Sequence, residues 1–186
     1  DEVTKTMGSM AKVSPPLRSQ EDLEALWQAV DDGRIDVVAS DTAGQVREKK
    51  EPIHGDVFKA PAGLPGEETA FIVTYDEGVN KGRTNLARLV EVMCEKPAKI
   101  FGLSPKKGVL EPGADADLVI FDPTKPYTIN AADQHAKVDY SMYEGRECIG
   151  APVLVMQRGE VLVEDGELKA QPGQGQYLPR KRFSER

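Results

Sequence analysis

Ile35-Asp36-Val37-Val38-Ala39-Ser40-Asp41 is the stretch on which the fold turns. It is short, β-branched and apolar in its middle, the texture of a buried strand such as a parallel one covered on both faces. Upstream, Ser19 is placed to cap a helix running to about Arg34, with Asp22 in the reciprocal slot of a capping box. Leu23, Leu26, Trp27 and Val30 recur at helical spacing and predict one apolar face, and Gly33 suits the helix end. A helix feeding a buried strand that ends on a carboxylate is an αβ unit. In α/β barrels functional residues sit where strands end. Asp41 stands at such a position, although spacing alone favours a turn or N-cap aspartate.

Beyond Asp41 the chain turns polar from Thr42 to Glu68, with Pro52, Pro61 and Pro65 and glycines at 44, 55, 63 and 66. Loops of this length are uncommon in compact domains and are usually functional or mobile. Ala62-Gly63-Leu64-Pro65-Gly66 predicts tight backbone geometry that presents peptide groups rather than side chains. Helical character is expected from Ala70 to Glu77, stopping near Gly78, and again from Asn85. Leu86, Leu89, Val90 and Met93 give that second helix its buried face, and Pro97 opens another short helix ending at Gly102.

After Ser104 the pattern becomes that of short strands: Gly108 to Leu110, Asp117 to Phe121 halted by Asp122-Pro123, Tyr127 to Ile129, Val153 to Gln157 and Glu160 to Val163. Arg158-Gly159 and Asp165-Gly166 mark turns. The expected organisation is an α/β part over residues 1–104, a β part over 105–164 and an arm over 165–186.

The length of 186 residues suits one domain, or one domain with part of another. A formal charge of −7 disfavours nucleic acid or an anionic membrane as partner, and Arg180-Lys181-Arg182 is too short to reverse it. No apolar run approaches the roughly 20 residues of a transmembrane helix, and no signal peptide is seen. Cys94 and Cys148 lie far apart without CxxC spacing and read as two reduced thiols of a cytoplasmic protein. The chain opens on Asp1 without an initiator Met, which is the texture of a fragment or a processed chain.

Three groups of segments carry a resemblance. The first is Lys12-Val13-Ser14-Pro15-Pro16-Leu17-Arg18. The second joins Ile35–Asp41 to Ala60-Pro61-Ala62-Gly63-Leu64-Pro65-Gly66-Glu67. The third runs from Gly78-Val79-Asn80-Lys81-Gly82-Arg83 through Pro97-Ala98-Lys99-Ile100-Phe101-Gly102-Leu103 to Gly113-Ala114-Asp115-Ala116-Asp117-Leu118-Val119-Ile120-Phe121-Asp122-Pro123. Together they resemble the D-hydantoinase and dihydropyrimidinase branch of the amidohydrolase superfamily, over about Lys12 to Phe183. The segments Pro97–Leu103 and Gly113–Pro123 alone mark only the wider superfamily. The serine-proline and glycine-proline pieces narrow it to the branch.

The resemblance implies the carboxy-terminal portion of a metal-dependent (β/α) barrel, followed by part of a β-sandwich domain and an arm that packs on a neighbouring subunit. It implies ring opening of a small cyclic amide by a metal-bound hydroxide. The metals expected are two zinc ions, with manganese as the alternative. They are held in the family by an HxH pair, a carboxylated lysine, two further histidines and an aspartate at the end of the last barrel strand. Asp41 matches that aspartate, as metal ligand and as acid–base group. Ser14 matches a serine that contacts the ring largely through its backbone. Ala62 falls where many relatives carry Asn, again a backbone contact, and Thr42 stands where the common pattern has His.

The only histidines are His54 and His135, and neither matches a family ligand. Asp41 alone cannot close a binuclear site. The expected partners are therefore a companion chain or amino-terminal fragment carrying the remaining barrel, and further copies in a tetramer-like homo-oligomer. A non-catalytic relative that keeps the fold and serves in assembly is the alternative.

Overall fold

The computed structural model describes residues 2–51, 56 and 58–180; His54 and the end of the basic run lie outside these. The helices are α1 (Glu2–Met7), α2 (Gln20–Asp31), α3 (Arg47–Lys50), α4 (Ala70–Tyr75), α5 (Leu86–Val90) and α6 (Lys96–Ile100). The strands are β1 (Leu118–Thr128), β2 (Glu147–Gln157), β3 (Glu160–Glu164) and β4 (Glu167–Leu168), forming one antiparallel sheet in the order β1-β2-β3-β4.

Helix α2 begins as its sequence dictates. The Asp22 N–H donates to the Ser19 hydroxyl at 3.2 Å, and the Ser19 N–H donates back to the Asp22 carboxylate at 3.1 Å. Its apolar stripe is another matter: Val30 is buried, but Leu23 and Leu26 are 41% and 53% exposed. Periodicity names a face that wants cover, and no described segment lies over its first half.

The expected strand Ile35–Asp41 is not one. It carries no regular secondary structure, is partly exposed and lies outside the sheet. Only two backbone donors hold it, Ile35 N–H to the Ala29 carbonyl at 2.9 Å and Val38 N–H to the Val92 carbonyl at 3.1 Å. A β-branched run supplies the propensity, but a strand also needs a neighbour to exchange hydrogen bonds with.

Gly78 does not stop a helix, because α4 continues as a π-helical turn over Asp76–Asn80. A Cβ at Gly78 would lie 2.8 Å from the Trp27 ring, so the glycine permits close helix packing. Likewise α5 continues through a π-helical turn, Glu91–Glu95, directly into α6. That widening precedes Pro97, which has no N–H to give to the ladder. The buried face is Leu89 and Val92, both at 0% exposure, while Leu86 and Val90 are exposed.

In the sheet, the two strands expected on either side of Asp122-Pro123 are one. β1 advances from Asp122 to Pro126 while β2 advances only from Ala151 to Ile149. This bulge takes Pro123 out of the ladder, where a missing N–H is harmless. Gly108 to Leu110 forms turn and coil instead of a strand. Helix α4 packs on the sheet through Phe71 and Tyr75, edge-on to Phe121 at 5.3 and 4.7 Å between ring centres. Ile72, Val73, Ile129 and Cys148 form the core beneath. Each large side chain buried there contributes roughly 1.5–3 kcal/mol.

The seam is finished by charge. Glu77 takes Lys81 at 2.7 Å and Arg83 at 2.6 Å, and also pairs with Arg146 from the sheet side. Arg146 reaches Asp76 at 3.2 Å, and Asp76 accepts the Ile149 N–H at 3.2 Å. Among the described residues, no helix is long and apolar enough to cross a membrane.

Candidate functional site

Asp41 ends the run Ile35–Asp41 with φ +46°, in the left-handed region, and is solvent-exposed. Aspartate tolerates this conformation better than most residues, yet it remains a local strain of the sort that gathers at functional sites. The run reaches this point on fixed supports. Arg88 donates from Nε to the Val30 carbonyl at 2.7 Å and from a terminal nitrogen to the Ile35 carbonyl at 2.6 Å. Its other terminal nitrogen pairs with Glu91 at 2.7 Å. Lys96 holds Asp36 at 2.7 Å.

Immediately after Asp41, the Thr42 hydroxyl donates to the Ser40 hydroxyl at 3.1 Å. Glu67 lies on the same side. A backbone N–H and then the Thr42 hydroxyl hold its carboxyl below the ordinary value. The Ala43 N–H donates to the Leu64 carbonyl at 3.1 Å, which brings the Asp41 turn against the Ala62–Gly66 loop.

Gly63 is where the segments meet. Its φ is +120°, and a Cβ there would stand 2.2 Å from the Ala43 carbonyl oxygen. Only glycine fits so close to a backbone in that conformation. Its N–H donates to the Lys12 carbonyl at 3.1 Å, two residues before Ser14. Ala62 precedes it, and both Ser14 and Ala62 are exposed. The backbones beside Ser14, Asp41 and Ala62 are thus joined through one glycine, with the three residues themselves left open to solvent.

Two lysines give this junction its rigidity, and neither stands out in the sequence. Lys50, fully buried, donates to the carbonyls of Met10, Lys12 and Gly63. Lys12 donates to the carbonyls of Ala60 at 2.7 Å and Phe58 at 3.2 Å. Burial above all, and then the nearby Lys12 charge, pushes the Lys50 ammonium below its usual pKa. Lys50 sits in the run Arg47-Glu48-Lys49-Lys50-Glu51, which reads as a solvated helix face, so nothing local marks it.

His135 is remote from Asp41 in chain and in bonding. Its ring Nδ1 lies 2.9 Å from Glu68, whose carboxylate also accepts the backbone N–H groups of His135 and Ala136. Cys94 and Cys148 are both free. Among the described residues, no three His, Cys, Asp or Glu side chains gather so as to hold a metal ion. Asp41 could supply one carboxylate oxygen ligand, and among the described residues no further group of ligands gathers with it.

Residues 3–162 match the amidohydrolase family. A curated L-hydantoinase from Paenarthrobacter aurescens is 45% identical over 177 residues, 95% of this chain and 39% of the relative. A D-hydantoinase from Geobacillus stearothermophilus is 43% identical over 171 residues, 91% of this chain and 36% of the relative. The solved L-hydantoinase (dihydropyrimidinase) of Arthrobacter aurescens superposes with a TM-score of 0.91 at 45% identity, covering 96% of this chain and 40% of that one. The chain therefore spans about two fifths of the length of the relatives it matches. With likeness this high over nearly all of its residues, the chain belongs to the amidohydrolase family, and its relatives there are hydantoinases and dihydropyrimidinases.

Proposed function

We propose that this chain supplies the carboxy-terminal part of a metal-dependent cyclic-amide hydrolase that opens hydantoins, dihydropyrimidines or a related ring. The observation that carries the reading is Asp41, exposed with left-handed φ at the end of the run Ile35–Asp41, whose turn is tied through Ala43 to the loop at Leu64. In this reading residues 1–104 complete a (β/α) barrel, 105–164 form part of a β-sandwich and 165–186 form the arm. Its compartment is the cytoplasm.

The companion part of the barrel provides the neighbour that the run Ile35–Asp41 lacks and covers the exposed Leu23, Leu26 and Val90. It also provides the histidines and lysine that complete a site for two zinc ions, or manganese, which these residues alone do not fit. Asp41 would give one carboxylate oxygen to such a metal, which when bound would supply a nucleophilic water at neutral pH. As acid–base group, the Asp41 carboxylate would take a proton from water and return it to the departing ring nitrogen. Ser14 and Ala62 orient the ring with backbone N–H and C=O groups. The arm, tied to its own chain where Arg158 donates to the Gln174 carbonyl at 2.6 Å, contributes to a tetramer-like homo-oligomer.

The test is reconstitution with the companion part and divalent metal, followed by assay on hydantoin and dihydrouracil. Asp41→Asn is expected to lower kcat about 1,000-fold while leaving assembly intact. Ring opening that survives the substitution defeats the role of Asp41. An assembled complex that takes up no metal and opens no ring points to the non-catalytic assembly reading.

A further inference from the structure

The contacts proposed at Ser14 and Ala62 are made by backbone, so the side chains at those positions do not decide where the contacting atoms stand. The hydrogen bonding of their neighbours decides it, and this converges on Lys50. That side chain is 0% exposed. Its ammonium donates to the Met10 carbonyl at 2.8 Å, the Lys12 carbonyl at 3.1 Å and the Gly63 carbonyl at 2.6 Å. An ammonium has three N–H groups, and all three are spent on carbonyls. Two of those carbonyls lead into Ser14, and the third directly follows Ala62.

Lys12 adds its own bonds to the same junction. Its carbonyl accepts the Gly63 N–H at 3.1 Å, while its ammonium donates to Ala60 at 2.7 Å and Phe58 at 3.2 Å. The Ser9 hydroxyl donates to the Lys50 carbonyl at 2.8 Å and so anchors the short helix that carries the lysine. An apolar side chain here would fill the space but leave the Met10, Lys12 and Gly63 carbonyls without this donor, so the ammonium does more than pack. What the ammonium adds is direction: it fixes the mutual orientation of carbonyls from two segments that are far apart in sequence.

We infer that Lys50 is a positioning residue for substrate, gathering the Met10, Lys12 and Gly63 carbonyls so as to set the spacing between the backbone at Ser14 and at Ala62. Lys12 is its counterpart, holding the Ala60 and Phe58 carbonyls. The pair fixes the width of the slot that receives a flat cyclic amide, and the inference rests on the substrate-contact reading of Ser14 and Ala62.

The test uses the reconstituted complex with Lys50→Met, Lys50→Ala and Lys12→Met, followed by steady-state kinetics on hydantoin and amide hydrogen exchange at Gly63. Lys50→Met is expected to speed Gly63 exchange and to raise KM about tenfold with kcat nearly unchanged, the signature of lost binding geometry. Ethylammonium added to Lys50→Ala is expected to bring KM back toward the parent value. An unchanged KM, or an unchanged Gly63 exchange rate, overturns the inference. Should Lys50→Met not fold, Lys12→Met decides: a KM rise of a few fold supports the clamp, and an unmoved KM overturns it. A parent complex that opens no ring defeats the substrate-contact reading itself, and the inference falls with it. An active parent whose KM ignores both lysines defeats the inference alone.

Discussion

The sheet and the site loops satisfy their backbones in opposite ways. From Leu118 to Leu168 the peptide groups pair with one another along a four-stranded ladder, and side chains are left to pack. Among the described residues from Ser9 to Gly66 no strand ladder forms, and outside α2 and α3 the carbonyls of Met10, Lys12 and Gly63 are collected by the Lys50 ammonium, with Gly63 approached by backbone on two sides. A ladder is tolerant, since each rung is a small part of the whole. A junction that hangs on Lys50 and Gly63 is not, and this is the contrast to be tested.

The largest effect is expected at the junction. Gly63→Ala places a Cβ against a backbone oxygen at 2.2 Å with φ at +120°, and should destabilise the chain by about 4 kcal/mol. The matching residue in the sheet is Gly150, at φ +108°, where a Cβ meets the Tyr75 and Phe121 rings at 2.6 and 2.8 Å. Rings can turn aside where a peptide cannot, so Gly150→Ala should cost about 3 kcal/mol. Urea denaturation of both variants measures the difference; a larger loss at Gly150 would break the comparison.

The seam between the regions comes next. Burial raises the Glu77 carboxyl, but hydrogen bonds from Lys81, Arg146 and Arg83 override it and hold the group at about 2 instead of 4.5. Because the unfolded carboxyl protonates first as pH falls, the contribution is complete above about pH 4.5 and is lost down to about 2. It should amount to about 2 kcal/mol after allowance for partial solvent screening. Glu77→Gln should remove this acid dependence, read as the shift in urea midpoint between pH 6 and pH 3; an unchanged shift would detach the seam from Glu77. The smallest expected effect is purely local: Ser19→Ala should cost about 1 kcal/mol by removing the cap of α2. Circular dichroism during thermal unfolding checks it, and a loss as large as that of Gly150→Ala would mean that the cap also supports the site loops.

What was legible in the sequence follows the range of the interactions. The Ser19–Asp22 box is a contact between residues three apart, and it forms as its letters say. The sheet was legible as short strands, but Pro123 looked like a stop because a one-dimensional pattern does not show that a bulge will absorb it. Ile35–Asp41 looked like a buried strand because propensity is local while pairing is not. Asp41, Ser14 and Ala62 were reached through family resemblance. Lys50 was reached by neither route, since the carbonyls it binds lie in segments that only the fold brings together.

Gly63 and Ala62 stand side by side, yet they differ entirely in mutability. Ala62 is exposed and has its side chain free, whereas Gly63 is fixed by the Ala43 carbonyl above it. If the proposed substrate contact at Ala62 holds, a combinatorial library meant to alter ring preference would randomise Ala62 and hold Gly63 constant. The same structural knot that makes the loop intolerant at one residue is what would let evolution explore the residue beside it.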